Sequence, residues 1–243
     1  MNEAMKVRIS RRCFTKEPLS DAVIETIKAG IDRCNVETGL RIAFLENGSE
    51  AFRSLRRSYG MFRNVRSLLL MKGSRTDENL EEKVGYCGET LVLRLTGLQV
   101  GTCWVGATYD SGKLAIPEGE RLVCVIPVGN VQASLQDKLV RAVAASKNRK
   151  DIQERIVADR TVPDWILHGL EAVRLAPSAL NSQKPTVYYE NCALTMKVPQ
   201  NARFDMVDLG IAKKHFELAT GNGKFELGNG GQFKTGKRRE KAL

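Results

Sequence analysis

A turn rich in hydrogen-bonding groups lies at residues 176–185, which read Ala-Pro-Ser-Ala-Leu-Asn-Ser-Gln-Lys-Pro. Pro177 ends the helix before it, because the residue preceding a proline is pushed out of the α region. Small residues let backbone amides approach a flat ring, and Asn181 and Gln183 each offer a donor and an acceptor to the edge of such a ring. The turn therefore favours a site for a planar heterocycle. A helix C-cap followed by a polar loop is the alternative, but it does not require Asn181 and Gln183 together.

Two adjacent arginines, Arg11 and Arg12, precede the first predicted helix and are followed by Cys13. A planar guanidinium can donate two parallel hydrogen bonds to a phosphate, so the pair indicates a site for an anionic group. A solvated surface pair is the other interpretation. A cysteine nucleophile needs a base, which the sequence pairs with neither Cys13 nor Cys103, and His168 fits a surface or interface position. No side chain is assigned to catalysis.

The third element runs from Glu89 to Gly106 and ends in Gly-Thr-Cys-Trp-Val-Gly. It belongs to a long helix with leucines on one stripe, followed by a glycine turn. Trp104 is explained equally well by packing in the core, so this segment indicates a binding site only together with the 176–185 turn and the Arg11-Arg12 pair.

Hydrophobic periodicity predicts the elements that position these residues. Helices are predicted over residues 21–34, 80–98, 164–176 and 205–220, and strands over 40–45, 65–71, 122–128, 186–189 and 193–198. The order helix, strands, long helix occurs twice. We interpret the chain as an α+β fold of two pseudo-repeated halves, each with a β-sheet flanked by helices, although any α+β chain could show that order. The boundaries are a first half at 1–131, a connecting helical segment at 132–162, a second half at 163–222 and a Gly/Lys-rich flexible tail at 223–243.

Together the three elements resemble the nitroreductase-like superfamily, in the branch where two halves are fused in one chain. Its members carry Arg-Arg-Ser-x-Arg-x-Phe before the first helix, Ala-Pro-Ser-x-x-Asn-x-Gln-Pro after a helix, and Gly-Leu-Gly-x-x-x-Trp after the central helix. Here Cys13 replaces the serine, Thr15 stands at the third arginine and Lys184 is inserted before the last proline. Residues 208–212 resemble the family's Asp-x-Gly-x-Ala helix start. The resemblance spans residues 11–220.

The resemblance implies a nitroreductase-like fold and an FMN-dependent NAD(P)H oxidoreductase that reduces a nitro compound, a quinone or a similar small acceptor. Hydride would pass through FMN in a ping-pong reaction with NADH or NADPH as donor, without an obligatory acid or base. The FMN-binding residues that it implies are Arg11, Arg12, Cys13, Trp104, Val105, Gly106, Pro177, Ser178, Ala179, Asn181 and Gln183. One FMN per chain is expected, with Arg11 holding it more strongly than Arg12.

The bulk composition limits the other classes. The 243 residues carry a net charge of +10, which invites a nucleic-acid-associated protein, but no helix-turn-helix, RNP or zinc-finger pattern accompanies the charge, so a nucleic-acid partner is not expected. A flavin-binding sensor or carrier without robust turnover is the second alternative.

Six cysteines without a C-x-x-C pair and two histidines predict reduced thiols and no metal site. The sequence contains neither a signal-peptide core nor an apolar run of membrane-spanning length, which predicts a cytoplasmic protein without membrane association. A monomeric pseudo-dimer and a homodimer both fit.

Overall fold

The computed structural model describes residues 3–53, 62–132 and 149–236. Within these ranges there are five α-helices: α1 Glu3–Val7, α2 Asp21–Thr38, α3 Leu80–Gly97, α4 Asp164–Leu175 and α5 Asp205–Thr220. The strands are β1 Ala43–Leu45, β2 Ser67–Ser74, β3 Gly101–Thr102, β4 Glu120–Gly129, β5 Ile156–Ala158, β6 Thr186–Glu190, β7 Ala193–Lys197, β8 Gly223–Phe225 and β9 Phe233–Thr235. The elements predicted from periodicity are therefore present, and α5 has both predicted ends. None of the described helices is long and apolar enough to cross a bilayer.

The strands form two main sheets, one in each part of the chain. The first has the order β1-β2-β4-β3 and is antiparallel throughout, with an irregularity between Met71 and Lys72. Strand β2 is buried on both faces along nearly its whole length, which explains its continuous run of apolar residues. The second has the order β5-β6-β7, in which β5 runs parallel to β6 and β6–β7 is a hairpin.

Helices α3 and α5 cross at the centre of the molecule with their backbones in close contact. A Cβ atom added at Gly85 would lie 2.9 Å from the carbonyl carbon of Val207, and one at Gly210 would lie 2.9 Å from that of Glu82. Only glycine permits this approach. Each glycine faces the residue three positions before the other glycine, so the contact is reciprocal, as two-fold-related helices would make it.

The connection predicted as a helix over 132–162 has a different structure where it is described. Residues 133–148 lie outside the described residues. Residues 152–155 form one 3₁₀ turn, capped by the Asp151 side chain, and β5 follows it directly. Ile156 and Val157 are β-branched, and pairing with β6 places them in the second sheet. The first strand of the second sheet therefore begins at Ile156.

The predicted flexible tail, residues 223–243, is instead a β-hairpin over its described part, which ends at residue 236. Strands β8 and β9 pair antiparallel, with Gly223 opposite Thr235 and Phe225 opposite Phe233. Phe233 is buried, and its ring centroid lies 5.5 Å from that of Phe216 and 4.9 Å from that of Phe225. Phe225 and Phe233 therefore anchor the hairpin to the apolar core, which the high glycine content of this segment does not suggest.

A buried ion pair fastens the same hairpin to the helices. Lys213 Nζ lies 2.5 Å from Glu82 Oε1, and both side chains are 2% exposed. Lys213 also donates to the carbonyl oxygens of Glu226 and Gly228, while Gly228 N donates to Glu82 Oε2 at 2.7 Å. The remaining hydrogen-bonding capacity of the pair is thus used by the hairpin backbone, which is the condition under which a buried ion pair is tolerated.

Candidate functional site

The N-terminal segment around Arg11 lies along the edge of the first sheet. Arg11 N donates to Thr102 O at 2.8 Å, and Phe14 N donates to Arg63 O at 3.1 Å. In an extended segment, alternate side chains share one face. Arg8, Ser10 and Arg12 alternate along this segment, Ser10 and Arg12 are exposed, and the Cys13 thiol is exposed as well.

Three groups of this face act on the same buried thiol. Burial raises the pKa of Cys103, while the charge of Arg12, a hydrogen bond with Ser10 and the charge of Arg8 oppose that rise. The charges of Arg8 and Arg12 therefore both reach the region of Cys103. Arg8 and Ser10 are residues that the sequence reasoning missed, because the adjacent pair Arg11-Arg12 drew the assignment. The signal that could have found them is the alternation Arg8-x-Ser10-x-Arg12.

Arg8 is the most deeply buried cation of this segment. Its side chain is 8% exposed and its Nε lies 3.9 Å from Glu89 Oε1, beyond hydrogen-bonding distance. Among the described residues, that buried Nε has no hydrogen-bond partner. A buried N–H without an acceptor is costly, so this guanidinium is suited to an additional anionic or polar acceptor.

Trp104 is held by a buried network centred on Glu89. Trp104 Nε1 donates to Glu89 Oε2 at 3.1 Å, and Glu89 Oε1 lies 2.9 Å from His215 Nε2. The other ring nitrogen of His215 lies 2.9 Å from Ala172 O. Glu89 and His215 are both fully buried. Because both ring nitrogens face oxygen atoms, the network fixes the imidazole and, through Glu89, the indole. It links α3, α4, α5 and the segment after β3.

The other two residues of this predicted segment serve packing. Val105 is buried and bridges Val125 of β4 with backbone hydrogen bonds in both directions. A Cβ atom at Gly106 would overlap the ring of Phe204. The side-chain positions of Val105 and Gly106 therefore face the protein, so only their backbone groups could contact a ligand.

The 176–183 turn adopts a strained backbone. Leu180, Asn181 and Gln183 have φ angles of 53°, 55° and 51°, in the left-handed region that non-glycine residues seldom occupy. The Leu180 side chain is fully exposed and that of Asn181 is exposed as well. Strain of this kind persists only where surrounding contacts enforce it, and it clusters at functional sites.

Asp208 supplies much of that enforcement. Its carboxylate accepts hydrogen bonds from Ala179 N at 3.0 Å and from Ser182 Oγ at 3.3 Å. Burial raises the pKa of Asp208 to about 6, although these two hydrogen bonds oppose the rise. Within the turn, Gln183 N donates to Ser178 Oγ at 2.9 Å. Asp208, near the N-terminal end of α5, thus holds the turn in this conformation.

The Gln183 side chain is buried in the protein instead of lying at the tip of the turn. Its Oε1 accepts from Arg155 Nη2 at 2.8 Å and from Lys150 N at 3.1 Å. Arg155 is 2% exposed, and burial lowers its pKa to about 10. Sequence reasoning did not identify Arg155, whose partner is distant along the chain.

Arg149 lies beside the start of the turn. It donates to the carbonyl oxygens of Ala176 at 2.8 Å and Leu175 at 3.4 Å, at the C-terminal end of α4. Burial lowers its pKa, and so do the positive charges of Arg8 and Arg174. Arg8, Arg149 and Arg174 therefore contribute positive charge to one basic region. In the described ranges no cluster of His, Cys, Asp and Glu could hold a metal ion.

The mixed helix-and-sheet fold, with this basic region beside a strained turn, defines a chain of the nitroreductase type. A family model described as "Putative TM nitroreductase" matches residues 1–220, and the chain belongs to that family. No curated protein gives a match.

A solved structure shares the fold at low sequence identity. A crystal structure of a putative nitroreductase from Thermotoga maritima has a TM-score of 0.60 at 22% identity and covers 90% of this chain and 83% of its own. An FMN-bound nitroreductase from Desulfitobacterium hafniense gives a TM-score of 0.44 at 21% identity, covering 55% of this chain and 92% of its own. An FMN-dependent nitroreductase from Clostridium difficile gives 0.46 at 13% identity, covering 55% and 89%.

Proposed function

We propose that the chain is an FMN-dependent NAD(P)H oxidoreductase that reduces a nitro compound, a quinone or a similar small acceptor in a ping-pong reaction. The proposal rests on membership of the nitroreductase family and on one observation above all, the buried Arg8 Nε that lacks an acceptor within the described protein, in a region that also contains Arg149. A cofactor phosphate supplies the charge and the acceptor oxygens that such a guanidinium requires.

The chemical groups of the residues present are suited to binding FMN. Arg8, Ser10 and Arg12 provide two guanidiniums and a hydroxyl on one face, suited to the phosphate. The proposal also keeps the residues predicted from the sequence, which are Arg11 and Cys13 on the N-terminal segment and Trp104, Val105 and Gly106 after β3. In that set we assign Val105 and Gly106 to backbone contacts with the cofactor.

The turn would contribute the second half of the site. Pro177, Ser178 and Ala179 are half-buried and Asn181 is exposed, so their groups are accessible to a ligand. Gln183 is assigned to holding the turn, because its side-chain oxygen already accepts from Arg155 and Lys150.

When bound, FMN would supply the two-electron chemistry, accepting hydride from the nicotinamide and passing it to the acceptor. The chain's own residues bind and orient. The Glu89–His215 pair holds the Trp104 indole, and Asp208 holds the turn in its strained form. Arg8 and Arg12 place positive charge where an anionic cofactor would lie. A small-molecule acceptor is the expected partner, and NADH and NADPH are both candidates for the donor.

The absorbance spectrum of freshly purified protein is the first test. An oxidised-flavin spectrum is expected, with one FMN per chain after reconstitution with excess FMN and denaturing release. Steady-state oxidation of NADH and NADPH with a nitroaromatic or a quinone then separates an enzyme from a flavin carrier without turnover. Protein that binds no FMN after reconstitution would overturn the proposal.

Three matched variants assign the phosphate contacts. Arg8→Ala and Arg12→Ala should each weaken FMN binding roughly ten- to hundredfold, since a charged hydrogen bond contributes about 1.5–3 kcal/mol. Arg11→Ala should weaken it less, in contrast to the order inferred from the sequence motif, because Arg11 is not on the face directed at Cys103. Thermal midpoints measured in parallel distinguish lost contacts from unfolding. Equal affinity of Arg12→Ala and the unaltered protein would refute the assignment of this face.

A further inference from the structure

The buried contact between Glu89 and His215 requires one more proton than a neutral histidine and an ionised glutamate provide. His215 Nδ1 lies 2.9 Å from Ala172 O, and His215 Nε2 lies 2.9 Å from Glu89 Oε1. A backbone carbonyl oxygen only accepts hydrogen bonds, so Nδ1 must carry a proton. A neutral imidazole then has a lone pair at Nε2, which would face an acceptor oxygen of the carboxylate. A second proton therefore lies between Nε2 and Oε1.

Either position of that second proton gives the pair the same total charge. On His215 it makes an imidazolium beside a carboxylate, and on Glu89 it makes a neutral imidazole beside a carboxylic acid. The charges of the two side chains add to zero in both cases. Both side chains are fully buried, and an uncompensated carboxylate is costly in such a place, which also favours keeping the proton.

The neutrality of this pair matters for Arg8. Arg8 Nε lies 3.9 Å from Glu89 Oε1, whereas His215 Nε2 lies 2.9 Å from the same oxygen. His215 thus occupies the oxygen that the guanidinium would otherwise approach. Arg8 Nε has no hydrogen-bond partner in the described part of the chain, and the pair does not offset the charge of Arg8. Arg149 is close enough for the charge of Arg8 to lower its pKa, so it adds positive charge to the same region.

We propose that His215 is a positioning residue for the phosphate of the cofactor, because it keeps Glu89 from pairing with Arg8. The proposal rests on the function proposed above and adds a residue of α5 to a site whose phosphate contacts lie on the N-terminal segment. Without His215, the Glu89 carboxylate would be ionised and its charge would act on the nearby guanidinium. Arg8 would then be engaged inside the protein, and an anionic ligand would lose a positive charge and a hydrogen-bond donor.

His215→Gln is the variant that tests this role, since glutamine hydrogen-bonds but cannot take up a charge. The affinity for FMN, measured by the quenching of flavin fluorescence on titration with apoprotein, should fall about tenfold or more. Adding Glu89→Gln should recover most of that affinity, because no carboxylate then remains to engage Arg8. A purely structural role of His215 predicts the opposite, since the second substitution further weakens the buried network.

His168→Gln is the matched control, because it changes an exposed histidine on α4. It should leave the affinity for FMN unchanged. The chain contains two histidines, so this variant has His215 as its single imidazole. NMR of the variant with 15N-labelled histidine then gives a measurement that needs no flavin. At neutral pH, two exchange-protected protons are expected in the hydrogen bonds of the His215 ring, one at each nitrogen.

Three results would overturn the proposal. They are an unchanged affinity of His215→Gln for FMN, a double variant that binds FMN no better than His215→Gln, and a single protected proton at the His215 ring. The NMR measurement decides the matter even if His215→Gln does not fold. Failure of the proposed function is a separate result, because it appears as an absence of FMN binding by the unaltered protein.

Discussion

The crossing of α3 and α5 leads to a quantitative prediction for Gly85→Ala. The new Cβ would overlap the carbonyl oxygen of Val207 and lie 2.9 Å from its carbonyl carbon and 3.1 Å from Ile211 N. Ordinary non-bonded contacts are about 3.5–4.0 Å, so the helices must separate by roughly an ångström or more. All the opposing atoms belong to backbone, so no side chain can rotate away. Overpacking of this kind costs about 1–3 kcal/mol, and we place Gly85→Ala near the top of that range.

The higher helix propensity of alanine offsets about 1 kcal/mol of that cost, leaving a net destabilisation of about 2 kcal/mol. For a chain of this length the thermal midpoint should fall by about 4–8 °C. Gly97→Ala is the matched control in the same helix, because nothing lies within 4 Å of its added Cβ. It should stabilise the protein by about 0.5–1 kcal/mol. Urea denaturation of both variants measures the difference. A Gly85→Ala protein as stable as Gly97→Ala would refute the reasoning.

Three further predictions concern the turn, the hairpin and the buried network. The pKa of Asp208 is raised to about 6 from 3.8, so its contribution to stability is present below about pH 4 and is lost as the pH rises through 6. Urea titrations give the free energies of unfolding of the unaltered protein and of Asp208→Asn. The difference, unaltered minus variant, should fall by up to about 3 kcal/mol between pH 4 and pH 7, and a rise would contradict the shift in pKa. Phe233→Ala should cost about 3 kcal/mol or more in thermal and urea unfolding, and a neutral result would mean that the hairpin adds nothing to the core. Glu89→Gln should destabilise the protein by about 1–3 kcal/mol, since an amide cannot present an oxygen to both Trp104 and His215 in this buried network, whereas Glu171→Gln at a surface ion pair should change stability by under about 1 kcal/mol. Similar losses in these two glutamate variants would show that burial of the network does not matter.

Local patterns were sufficient for most elements of the fold. Helix α5 was predicted from residue 205 to 220 from its hydrophobic periodicity, which is a local signal, and Gly221 ends it with a φ of 65°. The hairpin at 223–235 was missed because its two aromatic anchors are stabilised by residues of α4 and α5. Strand β5 was missed for the same reason, since its partner β6 lies about thirty residues later.

The site was predictable only in part. The turn at 176–183 was located by proline and small residues, which are local features. The left-handed conformation of Leu180 was not, because it depends on Asp208, which lies on another helix. The partnership of Glu89 with His215 joins residues far apart in the chain, and a single sequence carries no sign of it. The register of the N-terminal arginines could have been found from the alternation of Arg8 and Arg12, had the segment been treated as extended.

The reciprocal contact of Gly85 and Gly210 also bears on how this protein can change by mutation. In an assembly of two identical chains, one substitution alters both symmetry-related positions at once, and any new feature must be tolerated twice. Here the two positions belong to one polypeptide and mutate separately. Either side of the α3–α5 contact can acquire a new side chain while the other retains its own, so a reciprocal backbone contact can coexist with different surfaces on its two sides.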